Sequence, residues 1–149
     1  MDARLPDMSS ENPLTDPNIA HPDIDEALIA RLVRTFYERA RADELIGPIF
    51  AEAVHDWDEH IANITAFWSS VTLRSGRYNG RPMRPHLTLP LENEHFDRWL
   101  ALFEATAKEL CSPGAANAFI IRARRIADSF EMAIGTQRGE IRRPRHSRM

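Results

Sequence analysis

The sequence predicts an all-α protein folded as one domain. Apolar residues recur at spacings of three and four along most of the chain, the repeat that lines one face of a helix. No stretch alternates polar and apolar residues at period two for the length of a strand. Glycine or proline stands between most of the periodic stretches, where a helix breaks readily. A chain of 149 residues buries ~68–70% of its unfolded surface, enough for a core plus a pocket without metal or disulfide support.

Taken in order, residues 1–22, "MDARLPDMSSENPLTDPNIAHP", mix prolines with Asp, Ser and Asn. They hold no apolar run long enough for a signal peptide or a membrane span, which predicts a disordered arm and a cytoplasmic protein with no membrane partner. Ile24, Leu28, Leu32 and Phe36, with Ile29, Val33 and Tyr37 beside them, predict a helix over 23–41. Asp23, Asp25 and Glu26 suit its positive end. Gly47 and Pro48 break that pattern and open a short helical turn with Ile49, Phe50 and Val54. Trp57, His60, Ile61, Ile64, Phe67, Trp68 and Val71 trace the strongest stripe, ended by Ser75 and Gly76. The stretch 76–90 is irregular. Phe96, Trp99, Leu100, Phe103, Ala107 and Leu110 mark the next helix. Pro113 and Gly114 separate it from a last one carrying Phe119, Ala123, Ile126, Ala127, Phe130 and Ile134. The tail 136–149 gathers Arg138, Arg142, Arg143, Arg145 and Arg148 among few apolar residues. It is predicted to be basic and disordered, leaving 23–135 as the domain.

The charge balance excludes a general polyanion binder. With 19 basic and 22 acidic residues the net charge is −3, and a basic tail without a basic folded surface does not predict nucleic-acid binding. The lone Cys111 rules out an internal disulfide and fits a reducing compartment, as a small apolar residue.

The polar residues of the stripes carry the functional reading. His60 shares the line of Ile64, Phe67 and Val71, so it points to the apolar side. His86 sits in "RPMRPHLTLP", with Pro85 directly before it limiting backbone freedom. Tyr37 and Trp99 have apolar bodies with one donor each. Singly, each reads as core filling with a satisfied polar tip. As a set, in a helical domain rich in aromatic stripe, they suit a planar apolar cofactor with a metal at its centre, such as haem, which needs an axial nitrogen and apolar packing round its edge.

The stretches "FYERARADELIGPIF" (36–50), "WDEHIANITAFW" (57–68), "RYNGRPMRPHLTLP" (77–90) and "FDRWLALFEAT" (96–106) resemble those of truncated haemoglobins of group III, in order from about residue 24 to residue 134. The resemblance implies a globin-like two-over-two α-helical sandwich, with haem b between the helix of Trp57 to Arg74 and the helix of Phe96 to Glu109. It implies His86 as the proximal iron ligand and Tyr37, His60 and Trp99 as a polar distal pocket. Ile64 would lie over the iron and Phe50 on the ring, with Phe36, Phe67, Trp68, Met83, Leu89 and Phe96 also against the cofactor. Pro85 stands where the family often has a basic residue, leaving the haem carboxylates to Arg84 or Arg81. His95, at a helix start, reads as a surface residue.

Such a pocket binds dioxygen, nitric oxide and carbon monoxide. Two donors aimed at bound dioxygen slow its release, so the expectation is redox chemistry with dioxygen, nitric oxide or peroxide, or sensing, more than oxygen transport. Nitric oxide dioxygenase or peroxidase-like activity would make a reductase a partner. Two other classes share the composition. "HDWDEH" (55–60) gathers His55, Asp56, Asp58, Glu59 and His60 as a non-haem metal site, but its histidines are five apart, on different faces of a helix. A helical interaction module would use the Arg-rich tail on an acidic partner. Colour separates the three: a red-brown protein with a Soret band, a zinc protein without one, or neither.

Overall fold

A computed structural model of the chain describes residues 19–78, 91–137 and 139. Among the described residues it holds five helices and no strand: α1 (Glu26–Ala42), α2 (Gly47–Ala53), α3 (Trp57–Leu73), α4 (Asn93–Leu110) and α5 (Pro113–Gln137). The all-α expectation holds. The segment 79–90, with Met83, His86 and Leu89 and the arginines 81 and 84, lies outside the described residues.

Helix ends follow local hydrogen-bonding chemistry more closely than apolar periodicity. Where periodicity predicts a start at residue 23, Asp25 remains extended and its carboxylate accepts the Leu28 N–H at 2.8 Å, so α1 begins at Glu26. Asp56 does the same for the Glu59 N–H at 3.1 Å and starts α3. At the far end of α3, Arg74 turns left-handed at φ 59° and stops the helix one residue short of the predicted limit. α4 begins at Asn93, three residues before Phe96, the first residue of the stripe. Pro113 and Gly114 are not a separator; they form the first turn of α5, and only Cys111 and Ser112 lie between α4 and α5. A proline loses nothing there, because the first N–H groups of a helix have no partner within it.

Asp43 builds the turn between α1 and α2. Its carboxylate accepts the N–H groups of Leu45 (2.9 Å) and Ile46 (3.0 Å) and pairs with Arg98 of α4 at 2.6 Å. Burial works to raise its pKa, but the Ile46 N–H, Arg98 and the Leu45 N–H outweigh it and hold the carboxyl below its ordinary value. Immediately after, Gly47 is buried against α1, and a Cβ there would sit 2.6 Å from the Arg41 carbonyl oxygen. Backbone cannot rotate away, so Gly47→Ala is expected to cost about 1–3 kcal/mol of stability by overpacking. Urea unfolding of variant and parent would measure it.

α1 packs on α3 and α4, α4 runs along α5, and α2 rests on α1. The core is aromatic: Phe103 stacks on Trp68 (5.2 Å, 14°) and on Trp99 (5.6 Å, 13°), while Phe36 and Phe119 meet this stack edge-on. Ala20 donates its N–H to the Thr72 carbonyl at 2.9 Å, and the His21 ring lies over Gly114, its Nε2 2.5 Å from where a Cβ would be. The end of the stretch predicted as an arm is therefore fastened to α3 and α5, at a place only glycine leaves open. Beyond α3, Ser69 donates to Glu26 at 2.6 Å, Glu26 pairs with Arg77, and Ser70 accepts the Tyr78 N–H at 2.8 Å. These bonds set the direction in which the chain leaves α3 toward the segment containing His86. Among the described residues, no helix is long and apolar enough to cross a membrane.

Candidate functional site

The strongest apolar stripe in the chain is not its most buried one. Trp68, Ser69 and Thr72 of α3 are fully enclosed, but Ile61, Ile64, Phe67 and Val71 are only partly buried. A stripe of this kind normally goes against protein; here part of it borders an open space. The cavity measures about 120 Å³, far larger than the water-sized voids that interiors tolerate. Val33, Phe36 and Tyr37 of α1, then Ile46, Ile49 and Phe50, form one side. His60, Ile64, Phe67 and Trp68 come from α3; Leu91 precedes α4, which gives His95, Phe96, Trp99 and Phe103; Ile126, Ala127 and Phe130 come from α5. Its surface is almost wholly aromatic and aliphatic.

The polar groups on this lining are few. Tyr37 is 6% exposed, and burial pushes its phenol well above the ordinary value, so its O–H is a donor at any physiological pH. The Tyr37 hydroxyl and the Trp99 indole N–H are side-chain donors carried by residues of this lining, Tyr37 buried and Trp99 half-buried. Two donors on a largely apolar wall can serve an acceptor carried by a ligand in the cavity. His60 is held on the wall by rings: Tyr37 at 5.1 Å and 88°, Trp57 at 5.6 Å and 84°, Phe50 at 6.5 Å. The Arg41 guanidinium caps Trp57 at 4.1 Å from its ring centre.

Of the residues singled out from sequence, Phe36, Tyr37, Phe50, His60, Ile64, Phe67, Trp68, Phe96 and Trp99 meet on this cavity. Met83, His86 and Leu89 fall outside the described residues. His95 departs from its reading as a surface residue: it is half-buried and lines the cavity. The signal was its spacing of four from Trp99 and eight from Phe103, which puts all three on one face once α4 starts at Asn93. Ile126 and Phe130 stood in a recognised stripe, but nothing in that stripe distinguishes a cavity wall from solid core. The "HDWDEH" stretch does not assemble as a metal site. His55 is exposed, Asp56 caps α3, and no group of three or more His, Cys, Asp or Glu among the described residues could hold a metal ion.

Known proteins resemble this chain in sequence and in fold. The chain is 39% identical over 113 residues to the group 3 truncated hemoglobin ctb of Campylobacter jejuni, covering 72% of this chain and 89% of that protein. It is 32% identical over 87 residues to the group 2 truncated hemoglobin YjbI of Bacillus subtilis, covering 56% of this chain and 65% of the relative. The crystal structure of the group III truncated hemoglobin from Campylobacter jejuni superposes with a TM-score of 0.71 at 38% identity, over 74% of this chain and 91% of that one. The bacterial-like globin family matches residues 24–129. A family match over that span, with a relative of this identity and coverage, settles membership: this chain belongs to the bacterial-like globins, a family that supports haem-based gas binding.

Proposed function

We propose that the chain binds haem b with His86 as the proximal iron ligand, and uses Tyr37 and Trp99 as donors to dioxygen held in the pocket. The observation that carries this is an apolar, largely aromatic cavity whose lining includes the donors of Tyr37 and Trp99. The residues fit the cofactor by their chemistry: Phe36, Phe50, Phe67, Trp68 and Phe96 offer apolar faces to a flat ring, with Ile64 among them, and Met83 and Leu89 are assigned to the same wall by the family resemblance. Bound there, haem supplies an iron that takes up dioxygen, nitric oxide or carbon monoxide and can change oxidation state.

The protein's part is to bind, orient and exclude water. A protonated phenol and an indole N–H favour a ligand whose outer atom carries negative charge, and that preference works against release. Redox chemistry with dioxygen, nitric oxide or peroxide, or sensing, follows from such a pocket better than oxygen delivery. A reductase is then the partner that would return the iron to its ferrous state. The absorption spectrum of the purified full chain in ferric, ferrous and carbonyl forms tests the proposal. A Soret band that shifts on reduction and on carbon monoxide binding is the expected result; a chain that takes up no haem would overturn it.

His60 has a separate role in the same reading. Its ring stands against Tyr37 and Trp57 at the cavity wall, beside the donor assigned to the ligand. His60→Leu is expected to change the association rate of carbon monoxide or the coordination state of the ferric form. Identical flash-photolysis traces and ferric spectra for variant and parent would reduce His60 to a packing residue.

A further inference from the structure

His95 lines the cavity from the first turn of α4 and is half-buried, at the boundary between apolar interior and solvent. Its Nδ1 accepts a 2.8 Å hydrogen bond from the Glu92 backbone N–H. A backbone N–H can only donate, so Nδ1 carries a lone pair and no proton. The proton of a neutral imidazole is then on Nε2. A metal-binding histidine has the reverse arrangement, a bare nitrogen toward the metal and its other N–H on a second group. In this geometry His95 is an N–H donor, not an iron ligand.

What it could donate to follows from the rest of the lining. No lysine or arginine stands on the cavity among the described residues. Arg41 is committed to the Trp57 face and Arg98 to Asp43. His60 is ringed by Tyr37, Phe50 and Trp57. Of the two imidazoles on the described wall, His60 has its Nε2 buried among those rings, so the acidic edge of a flat apolar ligand, which seeks solvent, meets His95. We infer that His95 donates its Nε2–H to a carboxylate of the bound porphyrin, holding the acidic edge of the ring beside the first turn of α4. This rests on the haem reading proposed above.

The test separates the donor from the helix cap that the same side chain provides. Glutamate at this position of a helix is a favoured capping partner, its carboxylate accepting the N–H that Nδ1 now accepts. Glutamine keeps that acceptor and adds an amide donor. The full-length protein and its His95→Ala, His95→Gln and His95→Glu variants are loaded with haem or with haem dimethyl ester, and loss to an excess of a haem-scavenging globin is timed. With haem, His95→Ala should release the cofactor about three- to tenfold faster, the lower range for a charge-assisted hydrogen bond partly open to solvent. His95→Glu should release it faster still, and His95→Gln should stay near the parent rate. With the dimethyl ester these differences should disappear. A cap without the donor role predicts that His95→Glu matches or exceeds the parent, or that the ester shows the same order as haem; either result overturns the inference. Parent protein that takes up neither porphyrin overturns the haem proposal itself, and the role of His95 with it.

Discussion

Full-length protein carrying His86→Ala is expected to emerge nearly free of haem, or with haem that is lost rapidly and is partly restored by added imidazole. The variant removes the nitrogen that the proposal assigns to the iron, and free imidazole can supply that nitrogen but not its attachment to the chain. The alternatives inside the described cavity are few. His95 has its Nδ1 occupied as an acceptor from the Glu92 N–H, which leaves a proton where a metal would need a lone pair. His60 remains, against the rings of Tyr37 and Trp57. Haem content by pyridine haemochrome and the ferric spectrum would decide: parental content and an unchanged spectrum in His86→Ala would transfer the iron to His60. His95→Ala is the matched comparison, expected to keep the parental spectrum while loosening the cofactor.

Removing the Tyr37 hydroxyl should have the largest effect on the bound gas. Tyr37→Phe keeps the ring that packs edge-on to Phe36 at 5.0 Å and to Phe50 at 5.5 Å, so the pocket wall survives and only the donor is lost. A hydrogen bond to a charged acceptor contributes about 1.5–3 kcal/mol, so dioxygen should leave roughly tenfold to a hundredfold faster. Carbon monoxide carries far less charge on its outer atom and should respond much less. Trp99→Phe is expected to act in the same direction, and the double variant to fall short of the product of the two if both donors serve one acceptor. Unchanged dioxygen release in both single variants and in the double would remove the polar-pocket role and leave haem binding intact. The phenol also predicts a pH dependence. Burial raises its pKa above the ordinary 10.0, so the folded protein retains a proton that the unfolded chain gives up. The stability linked to it is whole below that value and declines as pH rises beyond it. Urea unfolding from pH 8 upward should show this decline in the parent and less of it in Tyr37→Phe, while dioxygen release from the parent stays flat with pH through the neutral range.

Much of this protein can be read along its chain. A spacing of three and four located every helix of the described residues, because a helix repeats its buried face at that interval whatever covers it. Sequence missed at the ends. Asp25 and Asp56 start their helices by accepting N–H groups, and Arg74 ends one by turning left-handed; single side chains and single dihedrals leave no periodic trace. The same limit applies to Gly47 and Gly114, whose missing side chains matter only because the Arg41 carbonyl and the His21 ring occupy the space.

The sequence by itself determined the helices, the faces they bury, the family they resemble, and that Tyr37, His60 and Trp99 turn inward. Only the tertiary structure decided which inward residues fill the core and which form a wall. Trp68 and Phe103 do both, stacked on one another at 5.2 Å and bordering the cavity. Ile126 and Phe130 of α5 complete a wall begun by Phe36 in α1, and Glu131, beside them in sequence, is buried at 1% exposure where a polar position would be expected to face water. His95 was moved from the surface to the cavity by the three residues that α4 extends before Phe96. In each case the outcome depends on what lies opposite, on another helix tens of residues away. Periodicity encodes the direction of a side chain relative to its own helix axis; whether that direction ends in protein, in solvent or in a space for a ligand is a property of how the helices cross.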